Sequence, residues 1–90
     1  MTFSLTFKSG SRMFYMTCQR IQEGETTEQY KLWATNNPGK YVILQNNRPL
    51  LRNKLNLKYK KLAWKVVEGK VQSKHTLEKV IEMIEGNIDR

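Results

Sequence analysis

Ninety residues suffice for one domain, 1–90, and the core is modest, since a chain of this size buries roughly 60–65% of its unfolded surface. Hydrophobic and charged fractions of 39% and 27% place it among globular rather than disordered chains, and the net charge of +8 points to anionic partners. One cysteine, Cys18, excludes an intrachain disulfide, and together with one histidine, His75, it falls short of the four ligands of a structural zinc site.

Phe3, Leu5 and Phe7 alternate with Ser4, Thr6 and Lys8, which predicts a half-buried strand. This is also the pattern of neither a secretory leader nor a membrane anchor, and the longest uninterrupted apolar run, Tyr41–Leu44, is far below the ~18 residues of a spanning helix. A cytoplasmic location and no membrane partner are expected. Ser9-Gly10-Ser11 reads as a turn, and Arg12–Gln22 as a second strand with Phe14, Met16 and Cys18 on one face. Ile21 breaks that parity and predicts a bulge or an early end.

A turn at Glu23-Gly24-Glu25-Thr26 leads to a third strand, in which Tyr30, Leu32 and Ala34 oppose Gln29, Lys31, Trp33 and Thr35. Asn36-Asn37-Pro38-Gly39 reads as the next turn, with a fourth strand over Lys40–Gln45. Pro49 rules out a regular central strand after it. Arg48–Lys54 fits a helical turn capped by Asn46 or Asn47, whereas Leu55, Leu57 and Tyr59 alternate as an extended segment would. Leu62–Val67 fits a fifth strand. Leu77, Val80, Ile81, Ile84 and Ile88 then form a helical stripe, capped by Ser73 or Thr76, with Glu78, Glu82 and Glu85 on the watered side and Gly86 weakening the last turn. The expected fold is α+β: a four- to five-stranded antiparallel β-meander with the C-terminal helix across one face.

Catalytic chemistry finds little support. A Cys–His pair would have to use Cys18, which shares the parity of core residues, and His75, in the first turn of a helix. The carboxylates gather on the C-terminal helix and in the loop 23–28, both patterns of solvated surface. Gly39-Lys40 lacks the rest of a phosphate loop, because Ala34 and Tyr41 stand where Gly and Ser or Thr are required. No dinucleotide fingerprint occurs, and no cofactor is expected.

The cations are unevenly placed. Residues 38–74 hold ten, against Glu68 alone, a net of +9, whereas 1–37 carry +1 and 75–90 carry −2. Within 48–65, Arg48, Arg52, Lys54, Lys58, Lys60, Lys61 and Lys65 interleave with Tyr59 and Trp64. Cations contact phosphates and release counterions, and aromatic faces stack on unpaired bases. By size, Trp33 and Trp64 belong in a core. If Phe3, Phe14, Tyr30 and their neighbours face the helix, the other face carries Lys8, Tyr15, Thr17, Lys31, Trp33 and Thr35, a polar platform suited to single strands; which face carries Trp33 is left open by the sequence. This arrangement of antiparallel strands and one helix resembles the topology of single-strand binders of the PUR and Whirly type, without a sequence motif in common.

The expected function is therefore non-catalytic binding of single-stranded DNA or RNA. Arg48, Arg52, Lys54, Lys58, Lys60 and Lys61 would hold phosphates, Lys31 would add charge, and Tyr59 or Trp33 would stack on bases. The alternative is a protein-interaction domain that uses a sheet edge for self-association or docks an acidic protein on its basic segment.

Overall fold

The computed structural model of the chain describes residues 1–53 and 61–88. One antiparallel sheet carries five strands in sequence order: β1 (Thr2–Ser9), β2 (Arg12–Glu23), β3 (Glu28–Ala34), β4 (Asn37–Asn46) and β5 (Trp64–Glu68). A short helix α1 (Arg48–Asn53) follows β4, and α2 (Lys74–Ile88) lies against one face of the sheet. The α+β meander anticipated from the alternation is the fold observed.

Register aligns the apolar positions into continuous rows. Leu5 stands opposite Met16, Phe7 opposite Phe14, and Cys18 between Phe3 and Leu32, while Tyr30 pairs with Leu44. Val80, Ile84 and Ile88 of α2 close over Leu5, Phe7, Cys18, Tyr30, Leu32 and Leu44 to form the core. Each fully buried large side chain of this set contributes about 1.5–3 kcal/mol of transfer free energy. Trp64 joins the core at Tyr30, with ring centroids 5.8 Å apart. Ile21 sits at a register shift between Arg20 and Gln22, so the anticipated bulge is present and β2 runs on to Glu23.

The third turn differs from the expectation. Thr35 and Asn36 make the reversal, and Pro38 and Gly39 lie inside β4, between the pairs Ala34–Asn37 and Trp33–Tyr41, as a bulge. Thr35 is held back by its amide, which donates to Tyr15 O at 3.0 Å. Pro38 has no N–H for the ladder, so it is accommodated where the pairing slips.

Both asparagines before α1 have work. Asn46 Oδ1 accepts from the Arg48 amide at 2.9 Å. Asn47 clasps the chain returning to β5: its Nδ2 donates to Lys61 O at 3.0 Å and its Oδ1 accepts from the Ala63 amide at 2.9 Å. The alternating segment at Leu55, Leu57 and Tyr59 lies outside the described residues. Ser73, rather than Thr76, caps α2, since its Oγ accepts from the Thr76 amide at 3.1 Å. Glu78 and Glu82 face water as expected, but Glu85 is half-buried and accepts from Trp64 Nε1 at 3.2 Å. Gly86 does not end the helix; α2 continues to the buried Ile88, whose carbonyl accepts from Arg48 Nη2 at 3.1 Å.

Candidate functional site

The face of the sheet away from α2 is built by the strand positions that alternate with the core. Register puts Ser4, Thr17, Trp33 and Tyr41 in one row across four strands, and Gln19, Lys31 and Ile43 in the next. Gln45 pairs with Lys65 of β5. Thr17 and Thr35 share a hydroxyl hydrogen bond at 3.0 Å, and Gln29 Nε2 donates to Gln45 Oε1 at 2.9 Å. These polar pairs stiffen the surface from which the larger side chains rise.

Three aromatic rings stand there. Tyr15 and Tyr41 are exposed, and Trp33 is half-buried. Trp33 and Tyr41 are cross-strand partners, with Tyr15 on the diagonal from Trp33, close enough for large side chains to act together. Lys31 Nζ lies 4.4 Å from the Tyr41 ring centroid and 5.9 Å from that of Trp33. The ammonium is thus held above two rings by attraction to their π faces. Among the described residues Lys8 and Lys65 join Lys31 on this face, β1–β4 give it no carboxylate, and Glu68 of β5 pairs with Ile43 at its edge.

Of the other expected cations, Arg48 and Arg52 are engaged with carboxylates rather than gathered with Lys31 and Trp33. Arg48 turns inward: its Nη1 is 3.8 Å from Glu28 Oε1, besides its bond to Ile88 O. Arg52 is half-exposed and pairs with Glu23 at 3.6 Å. Lys61 is exposed just before β5. Lys54, Lys58, Tyr59 and Lys60 lie outside the described residues. Tyr41 was not among the residues that the sequence singled out. Its signal was legible only through the pairing with Trp33, which a turn at Asn36–Gly39 conceals.

Glu28 corrects the reading of residues 23–28 as solvated loop. It opens β3 and is fully buried. Its Oε1 accepts from Asn46 Nδ2 at 3.1 Å, and its Oε2 lies 4.0 Å from Arg20 Nη1. Arg20 in turn pairs with Glu23 at 3.2 Å. Two residues along β3, burial pushes the Tyr30 hydroxyl up to about 12, and the Glu28 charge adds to the rise. This cluster ties β2, β3, β4 and α1 together beneath the end of α2, and among the described residues Glu28 Oε2 and the Tyr30 hydroxyl are buried in it without a hydrogen-bond partner.

Cys18 is fully buried and burial pushes its thiol up to about 12, so the thiolate needed for nucleophilic attack is not formed near neutrality. His75 is exposed in the first turn of α2. An open groove of about 720 Å³ lies where Thr76 and Val80 of α2 meet Phe14, Met16, Leu32 and Val42, and Cys18 does not line it. No described helix is long and apolar enough to cross a membrane. Compared with protein families, curated proteins and solved structures, the chain matches none.

Proposed function

We propose that the protein is a non-catalytic module that binds single-stranded nucleic acid on its open sheet face. The observation that carries this reading is the placing of Lys31 over the rings of Trp33 and Tyr41 on a face where β1–β4 bear no carboxylate. Tyr15, Trp33 and Tyr41 offer stacking surfaces for successive unpaired bases, and Lys8, Lys31 and Lys65 meet the phosphates between them. Arg48 pairs with Glu28 and the Ile88 carbonyl, which favours a role in placing α1 over a phosphate contact.

Titrating the isotopically labelled protein with short single strands and duplexes, at low and near-physiological salt, tests this. Amide and indole shifts are expected at Tyr15, Lys31, Trp33, Tyr41 and Lys65, larger for single strands and weakening with salt. Replacing Trp33 and Tyr41 together by Ala should weaken binding by about 1–3 kcal/mol for each base that loses its platform. Absence of shifts at low salt, or equal binding by the double variant, would overturn the proposal.

A further inference from the structure

The two edges of the sheet are treated differently by the sequence. β5 is short, contains Lys65 and Glu68, and pairs through a register shift, all features that discourage a further strand. β1 runs from Thr2 to Ser9 in unbroken register with β2, has neither Pro nor Gly, and bears one charged side chain, Lys8. Among the described residues it is a long, regular edge with no proline, glycine or bulge to interrupt it.

Hydrogen-bond parity shows what that edge presents. Arg20 N donates to Met1 O at 2.9 Å across the pair that continues the β1–β2 register. In an antiparallel ladder hydrogen-bonded and non-hydrogen-bonded pairs alternate, so Met1, Phe3, Leu5 and Phe7 direct their backbone groups to β2. Thr2, Ser4, Thr6 and Lys8 therefore direct N–H and C=O outward, and their side chains are all exposed.

We infer that two copies of this chain associate through antiparallel pairing of their β1 strands about a two-fold axis at Leu5. In that register Ser4 meets Thr6 of the second copy and Thr2 meets Lys8 of the second copy. These are the residues with outward backbone groups, so each pair exchanges both of its hydrogen bonds and the ladder is complete. The non-hydrogen-bonded positions set Leu5 against Leu5 and Phe3 against Phe7, apolar against apolar, on the helix face. No like charges come into opposition. Within Thr2–Ser9, centring the axis on Ser4 or on Thr6 pairs three of the four outward-directed residues instead of all four, and an odd shift would oppose core positions to solvent positions. The contact is isologous and closed, as a two-fold dimer requires. It joins the two sheets edge to edge with both helices on one side and both open faces on the other. The inference goes beyond the nucleic-acid reading and does not depend on it.

Light scattering or sedimentation without nucleic acid, from micromolar to NMR concentrations, reads the mass directly. The chain should move from 10.7 kDa toward twice that as concentration rises. S4K/T6K sets lysine against lysine at both symmetry-related Ser4–Thr6 pairs and should remain monomeric, with an unchanged circular dichroism spectrum because both side chains are exposed. S4K/T6E sets opposite charges against each other in this register alone and should keep the dimer. A wild-type monomer at every concentration overturns the proposal, as does a dimer untouched by S4K/T6K or one abolished equally by both variants.

Discussion

Two ionisable side chains sit in the core as neutral groups, and their environment makes the fold sensitive to alkali. Burial raises the Cys18 thiol from an ordinary 9.0 to about 12, and raises the Tyr30 hydroxyl from 10.0 to about 12. Between the ordinary and the raised value, the unfolded chain has released a proton that the folded chain retains. Stability must then fall as pH rises. The contribution of these groups is fully present below pH 9 and is lost progressively from there toward 12. In urea titrations across this range, Cys18→Ala should begin from lower stability at pH 7, through lost packing, yet decline less steeply above pH 9 than the wild type. Parallel slopes would mean that the thiol is not protected. The burial of Cys18 was legible in its parity with Phe14 and Met16. That of Glu28 was hidden by its neighbours: Glu23 and Glu25 lie close in sequence, and only the spacing to Tyr30, two residues on, marks Glu28 as a core-face position.

At the scale of elements, strands and α2 were readable wherever a single period ran undisturbed, and errors gathered where backbone constraints competed. Pro38-Gly39 has the composition of a turn, but the reversal falls at Thr35–Asn36 because β2 holds the Thr35 amide. Asn46–Lys61 carried both a helical and an extended signal, and the helical one prevails as far as Asn53. Gly69, just after β5, shows how closely an element end is specified. It has φ +84, and a Cβ there would lie 2.6 Å from Tyr41 O and 3.1 Å from Val42 Cα, both backbone atoms of β4. Gly10, in the first turn, has φ +65 but open space around it. Gly10→Ala should therefore cost about 1 kcal/mol, from the left-handed backbone alone. Gly69→Ala should cost more, about 2–3 kcal/mol, because β4 must also move. Urea midpoints of the two variants give the comparison; equal losses would show that β4 yields freely. The displaced strand carries Tyr41, so Gly69→Ala should also shift the resonances of the Lys31–Trp33–Tyr41 group.

The whole molecule has two sides with separate duties. Core and buried ion cluster lie on the helix side, and the aromatic and cationic platform lies on the other. Stability and binding should consequently be separable by mutation, and Glu28 is the place to separate them. A domain of this size has about 5–15 kcal/mol of stability in all. Glu28→Leu removes the acceptor of the Asn46 side-chain amide and one counter-charge of Arg20 and Arg48, which keep Glu23 and the Ile88 carbonyl, so the buried Asn46 Nδ2 is the group that loses its acceptor. Leaving that buried donor without its acceptor costs about 1–3 kcal/mol, a sizeable part of a marginal chain's stability. Glu28→Gln retains an amide oxygen for Asn46 and loses only the charge, so a smaller loss and a folded protein are expected. Because Glu28 points to the helix side and Trp33 to the other, the Glu28→Gln protein should bind a single-stranded oligonucleotide with wild-type affinity although it unfolds at lower urea. Measuring both properties on the same preparation decides the matter. A joint loss of stability and affinity would mean that the buried cluster shapes the open face, whereas the sheet register places the two on opposite surfaces with the backbone ladder between them.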